Sequence, residues 1–266
     1  MTPAPQRPPR DQVSDVDPIE LWLVDCVRLA EPLSHIETRA RLLPPDECER
    51  AARILDPEDA VRWRIGRIAL RVLLAVRANA KPARSSFHIE AGGRPVLAGA
   101  DLDFSISDTG SVLLIALSRA GRVGVDIEVE RELKMAPHRI ARLIVASNGL
   151  VGPEGTALDE RAATQGWTRI EAYAKATAPS LAACLSNLGT AGHRGHPITH
   201  DELRDRAQAL RIAAGVTVCD LTLPDHLVGA AALPIALAAS APKVRLLDEV
   251  ALGAFADRID HLPPGQ

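Results

Sequence analysis

No apolar run in this 266-residue chain approaches the roughly 20 residues needed to cross a bilayer, so no membrane span is expected. The opening residues, MTPAPQRPPRDQVSDVD, lack the apolar core of a secretory leader, and a soluble, cytoplasmic protein is the expectation. The four cysteines, Cys26, Cys48, Cys184 and Cys219, stand far apart with no C-x-x-C spacing. That fits reduced, mostly packed thiols better than a zinc site or a disulfide framework. An excess of one charge is also missing: 31 Lys and Arg against 34 Asp and Glu leave a net charge of −3. Such balance does not suggest a nucleic-acid binder by bulk electrostatics, although local basic patches remain open. There is no G-x-S-x-G, G-x-x-x-x-G-K-[ST], G-x-G-x-x-G or H-E-x-x-H, so serine-hydrolase, P-loop and dinucleotide-binding readings have no support.

What the chain does have is a 47% apolar composition, enough for a substantial core. Residues 1–17 are rich in Pro, Arg and Asp and read as a disordered tail. IELWLVDCVRL (19–29) reads as a strand, and LPPDECERAARIL as a short helix beginning at a proline pair. DPEDAVRWRIGRIALRVLLAVRANA is the clearest helix, capped by Asp56 with Pro57 at its first position. FHIEA, a GGRP turn, DFSIS, SVLLIALS and GRVGVDIEV then read as strands, the last two joined as a hairpin across RAGR. A helical stretch over 136–147, a loop, the helix DERAATQGWTRIEAYAKAT and strands within LRIAAGVTVCDLTLPDHLVGAAALPIAL follow. The order is irregular enough to argue against a doubly wound parallel sheet. The expected class is α+β in two similar halves, 18–119 and 120–238, with 239–266 a C-terminal tail that could form one helix.

Four clusters carry chemistry. In GVDIEVE (124–130), Asp126 and Glu128 are two residues apart and share one strand face, with Val125 and Ile127 on the other. Two readings fit: the solvated side of a hairpin, or a site where a divalent cation relieves the repulsion of paired carboxylates. In GWTRIEAYAK, Glu171 and Lys175 are at i and i+4 of a helix, either an ordinary ion pair or a third acid with a cation beside it. Arg50, Arg53, Arg62, Arg64, Arg67 and Arg71 decorate the two N-terminal helices, as a solvated face or as a phosphate-binding group. His193, His196 and His200 read as loop residues, because Gly195 and Pro197 break any helix that would align the three rings.

Taken in order, GRP, FSISDTG, VGVDIE and W-T-R-I-E-A-Y-A-K resemble the 4′-phosphopantetheinyl transferase superfamily of the larger, pseudo-dimeric type, over residues 19–235. That family shows G-[KR]-P, F-N-x-S-H-[ST], [VI]-G-[VI]-D-[IV]-E and W-[ST]-x-K-E-[AS]-x-x-K. The resemblance implies two α+β halves with the active site in the cleft between them. It implies coenzyme A as substrate, Mg²⁺ as cofactor, an acyl or peptidyl carrier protein as acceptor and a monomer, in fatty acid, polyketide or nonribosomal peptide biosynthesis. Asp126, Glu128 and Glu171 would hold Mg²⁺ against the CoA pyrophosphate, and Lys175 would neutralise phosphate charge. Glu171 would be the base for the carrier serine. Arg50, Arg53 and Arg62 would hold the 3′-phosphate, Gly93, Arg94 and Pro95 would line the adenine side, and Ser107, Asp108 and Thr109 would face the phosphates.

The chain departs from the family at several positions. Asp108 stands where the family has a histidine, and its charge would repel phosphate unless it is protonated or turned to a cation. Ser105 replaces an asparagine. Ile170 replaces a lysine and is expected to face the phosphates, with Arg169 beside it as a source of charge. After Lys175 a glycine turn becomes ATAPSL, which inserts Pro179, and IVASNGLVG lacks the usual Phe-Ser and downstream Glu. The alternative these departures raise is a relative that binds CoA or a carrier protein without efficient transfer, in regulation or assembly.

Overall fold

A computed structural model describes residues 17–78, 83–99, 101–152, 157–158, 162–190, 198–224, 226–237 and 242–260. Nearly all of the N-terminal tail, most of the histidine loop and the last six residues lie outside the described residues. The structure is mixed α and β. Strand β1 (Ile19–Asp25) leads into α1 (Ala30–Ala40), α2 (Pro45–Ala52) and the long α3 (Pro57–Arg77). A two-residue ribbon, β2 (His88–Ile89) and β3 (Pro95–Val96), precedes β4 (Asp103–Thr109), β5 (Val112–Ser118) and β6 (Gly124–Val129). Then come α4 (Pro137–Leu150), α5 (Ala163–Thr177), α6 (Leu181–Leu188) and α7 (His200–Ala214). Strands β7 (Val216–Asp220), β8 (Leu227–Pro234) and β9 (Val244–Leu246) and the helix α8 (Glu249–Asp260) complete the chain.

Two sheets stand back to back. One has the order β4-β5-β1-β9, the other β6-β8-β7. Alternation along each strand divides the core into three apolar layers. Ile19, Leu21 and Leu23 of β1 and Leu114 and Ala116 of β5 meet Val123, Val125, Ile127, Ala231 and Leu233 between the sheets. The opposite face of the first sheet, with Trp22, Val24, Phe104 and Ile115, packs on α1, α3 and α8. The opposite face of the second, with Ala230 and Ala232, packs on α4, α5 and α7. The C-terminal segment returns to the first sheet: β9 runs parallel to β1, and the Phe255 ring meets Trp22 edge-on at 5.7 Å.

Local sequence explains most helix ends. Asp56 caps α3 by accepting from Asp59 N, with Pro57 at the first position as expected. Thr199 and Glu202 form a capping box at α7, and Gly215 ends it with φ of 64°. The helix α7 corrects the expectation for LRIAAG, which is its last turn and not a strand. The apolar residues Leu203, Ala207 and Leu210 recur at helical spacing; Leu203 is fully buried, and Ala207 and Leu210 pack in the core that covers the second sheet.

The expected hairpin across RAGR does not form. β5 pairs with β4 and β1, while β6 pairs with β8, so the turn carries the chain from one sheet to the other. Gly121, at φ of 115°, supplies the backbone conformation. β6 is the edge of its sheet, and its outward N–H groups are taken by polar side chains of β4. Val123 N donates to Asp103 Oδ2 (2.9 Å), Val125 N to Ser105 Oγ (3.1 Å) and Val129 N to Thr109 Oγ1 (3.3 Å). The alternate polar residues of DFSISDT are therefore a side-chain substitute for a backbone ladder, which satisfies an edge that would otherwise be orphaned.

Candidate active site

On β6 the odd positions enter the inter-sheet core, and the even positions, Gly124, Asp126 and Glu128, face α5. Gly124 sets the spacing. A Cβ there would lie 2.0 Å from the Ala172 carbonyl oxygen and 2.8 Å from Ala176 N, so only glycine lets the helix approach so closely. That approach brings Glu171 and Lys175, one turn apart on α5, onto Asp126.

Asp126 is 2% exposed, an unusual place for a carboxylate without partners. Its Oδ1 accepts from Ser107 Oγ at 2.7 Å and from Lys175 Nζ at 2.8 Å, and Lys175 Nζ also donates to Val125 O at 3.1 Å. Its Oδ2 is buried with no hydrogen-bond partner. Glu171 meets Asp126 carboxyl to carboxyl, a contact that is a hydrogen bond only when a proton is shared. Burial first, and the Asp126 charge second, push the Glu171 carboxyl up from 4.5 to about 7. Glu128 is more open and pairs with Arg131 at 3.4 Å, and burial raises its carboxyl above its usual range.

Two cavities lie on either side of β4, and the first borders these groups. One, of about 530 Å³, is lined by Gly93, Arg94 and Pro95 of the β2–β3 ribbon, Ser105 of β4, and Glu171 and Lys175 of α5. The other, of about 440 Å³, lies between α3 and the end of β4 and contains Arg62, Trp63, Arg67 and Asp108. Of the expected site residues, Gly93, Arg94, Pro95, Glu171 and Lys175 line the first and Arg62 and Asp108 the second, while Asp126, Glu128, Arg50, Arg53, Ser107 and Thr109 line neither. Ser107 and Thr109 are used to hold β6, while Asp108, on the opposite side of β4, shares its cavity with the Arg62 and Arg67 guanidiniums. Arg50 stacks over Trp63 at 5.5 Å, at the edge of that group. Arg53 is exposed and bound to Glu49 on its own helix.

Arg67 is a residue to which the sequence motifs assign no role of its own. Its Nη1 is buried without a partner beside the second cavity, and burial lowers its guanidinium pKa. A signal is present in the sequence, because Arg67 shares a helical face with Arg64 and Arg71, but that face splits. Arg64 is exposed, whereas Arg71 is fully buried and held by Glu47, Ala83 O and Ser85 O.

Two expectations are overturned. Ile170 does not face phosphates: it is 0% exposed, inside the core of the second half. Arg169 supplies no charge to the site, since it is buried on another face of α5 and bound to Asp220 and Asn148. The physical reason is helical rotation. Residues one and two before Glu171 point about 100° and 200° away from it, into the layer between α5 and its neighbours. His200 is exposed at the start of α7, and His193 and His196 lie outside the described residues.

Among the described residues, no group of three His, Cys, Asp or Glu side chains is drawn together closely enough to hold a metal by itself. The oxygen donors nevertheless fit Mg²⁺, which is commonly bound by one or two carboxylates together with substrate phosphates. The unpartnered Oδ2 of Asp126 and the mutual repulsion of Asp126 and Glu171 are what a divalent cation would relieve.

No family model matches the chain. Two curated relatives do. The chain is 28% identical to the 4′-phosphopantetheinyl transferase HetI of Nostoc sp. over 171 residues, 62% of this chain and 71% of the relative. It is 29% identical to the putative 4′-phosphopantetheinyl transferase slr0495 of Synechocystis sp. over 154 residues, 55% of this chain and 61% of that protein.

Proposed function

We propose that this chain, a member of the 4′-phosphopantetheinyl transferase superfamily, transfers the phosphopantetheine arm of coenzyme A to a serine of an acyl or peptidyl carrier protein. The observation that carries the reading is the convergence of Glu171 and Lys175, which line a 530 Å³ cavity, on the buried Asp126 carboxylate behind them. That volume suits a small-molecule site. The two sheet-and-helix halves are read as a pseudo-dimer, with this cavity as its cleft.

In the reaction the carrier serine oxygen forms a bond to the β-phosphorus of CoA. The P–O bond to the α-phosphate breaks, and adenosine 3′,5′-bisphosphate leaves with the bonding pair. Such chemistry is mainly positioning and charge neutralisation. Glu171 in its ionised form accepts the serine proton. Lys175 turns its ammonium from Asp126 to the phosphate charge of the leaving group. Asp126 and Glu171, with Glu128 at the open edge, would hold Mg²⁺, which when bound supplies charge neutralisation of the diphosphate. Gly93 and Pro95 line this cavity and would meet the adenine, while Arg62, in the second cavity, and Arg50, stacked on Trp63 beside it, would meet the 3′-phosphate.

The test is intact-mass spectrometry of a panel of apo carrier proteins incubated with CoA and Mg²⁺. The expected result is the mass of the added arm on at least one carrier. No gain across the panel overturns transfer. A second reading, binding without efficient transfer, is favoured by the Asp108 carboxylate in the arginine-lined cavity. It predicts a calorimetric signal for CoA with no mass gain on any carrier.

A further inference from the structure

The helix α5 ends in a way its own backbone does not satisfy. Ala178 N donates to Ala174 O at 2.9 Å, closing the last regular turn. The next carbonyl, Lys175 O, would be met by the N–H of residue 179, but Pro179 has none. The proline also forces Ala178 into extended backbone (φ −112°, ψ 152°), which stops the helix. Arg94, from the β2–β3 ribbon, supplies the missing donor: its Nη1 donates to Lys175 O. Its Nη2 donates to Asp103 Oδ2 (2.5 Å), Phe104 O (2.9 Å) and Val123 O (3.0 Å). One guanidinium thus ties the start of β4, the crossover into β6 and the last turn of α5. The ribbon is pressed onto the same point, since a Cβ on Gly92 would lie 1.8 Å from the Pro179 carbonyl oxygen.

The geometry points to Arg94 as a positioning residue, not a ligand cation: it clasps the turn of α5 that carries Lys175 and takes over the acceptor that Pro179 leaves unmet. Although the Arg94 side chain borders the 530 Å³ cavity, both of its Nη atoms are consumed by protein acceptors. The Asp103 carboxylate neutralises its charge, and its Nε, the one guanidinium nitrogen without a partner, is buried away from solvent. A lysine at this position could keep the charge but could not fork to acceptors on three segments. The consequence for turnover rests on the transfer reading above; the clasp itself does not.

The experiment combines R94K, P179A and the double variant, read by thermal melting and by kcat and KM for CoA with a carrier protein. R94K is expected to melt at least about 5 °C lower, as for loss of a buried, multiply bonded cation. It is expected to lower kcat about tenfold or more while KM for CoA moves less than about twofold. P179A frees Ala178 and restores an N–H to Lys175 O, so it should raise both the melting temperature and kcat in the R94K background and not in the wild type. A rise in KM with unchanged kcat would make Arg94 a ligand cation and overturn the proposal. So would identical effects of P179A in the two backgrounds. If the wild type modifies no carrier, the transfer reading fails, and the melting cycle alone decides the clasp.

Discussion

Gly124→Ala is the sharpest perturbation of the site, because it adds a single methyl and no polar group. The new Cβ would sit 2.0 Å from Ala172 O, where ordinary contact begins at about 3.4 Å. β6 and α5 must therefore part by more than about 1 Å, and since the clash is with backbone, no rotamer change relieves it. Overpacking of this kind costs about 1–3 kcal/mol, and backbone on both sides puts this case at about 3 kcal/mol. At roughly 2–4 °C per kcal/mol for a chain of this size, the melting temperature should fall by about 6–12 °C. The same movement opens the 2.8 Å contact of Lys175 with Asp126 and draws Glu171 away from it. A misplacement of about 1 Å can cost about 100-fold in rate. Calorimetric melting and the rate of carrier mass gain, both at a temperature where the variant is folded, measure the two effects. Gly253→Ala is the control: it lies in α8, where an added Cβ meets nothing within 4 Å, so it should be neutral or slightly stabilising. A Gly124→Ala protein that melts within about 1 °C of the wild type at full rate would refute the argument.

Glu171 predicts a pH dependence. Its raised carboxyl favours the protonated form in the folded state, so its stabilising contribution is complete below about 4.5 and lost as pH rises through about 7. The span of about 2.5 pH units, roughly halved because the side chain is partly exposed, amounts to about 1.7 kcal/mol. The melting temperature without Mg²⁺ should fall between pH 5 and pH 8 and the decline should flatten in E171Q; parallel profiles would exclude this origin. Ile170→Lys, which family resemblance suggests would improve phosphate binding, should instead lose at least about 3 kcal/mol in urea unfolding, because it buries an unpaired ammonium at a 0% exposed position. Wild-type stability together with tighter CoA binding in that variant would show that residue 170 reaches the site after all.

Much of the candidate site's geometry is legible in the sequence because its residues follow simple periods. Asp126 and Glu128 occupy alternate positions of a strand whose other positions are apolar, and Glu171 and Lys175 are one helical turn apart. Asp56 and Pro57 mark the start of α3 for equally local reasons. What the sequence does not disclose depends on contacts between distant segments. GRVGVDIEV reads as the partner of SVLLIALS because both are strands flanking a tight turn, yet each finds its backbone partners in a different sheet. Arg94 fits the motif of a ligand-facing residue, and nothing local reveals that Lys175 O, 81 positions away, will need its N–H. Ile170 and Arg169 mislead for a simpler reason: adjacent residues on a helix do not share a face.

The motif DFSISDT shows how one strand can serve two purposes that its sequence presents as one. Its odd positions, Asp103, Ser105, Ser107 and Thr109, face β6 and hold it there; three accept backbone N–H groups, and Ser107 donates to Asp126. Ser107 thereby orients the carboxylate that the site is built around, with Lys175 on the same oxygen. Asp108 lies on the opposite side of β4, in a cavity with Arg62 and Arg67. A carboxylate there does not face the Asp126 site directly, and the nearby guanidiniums offset its repulsion of an anion. Asp108 in place of a histidine thus counts less against transfer than the sequence suggests, because the charge it adds sits among cations. Under the proposed transfer, the position expected to govern the rate is the junction of β6, α5 and the β2–β3 ribbon, where Gly124 permits the approach and Arg94 secures it.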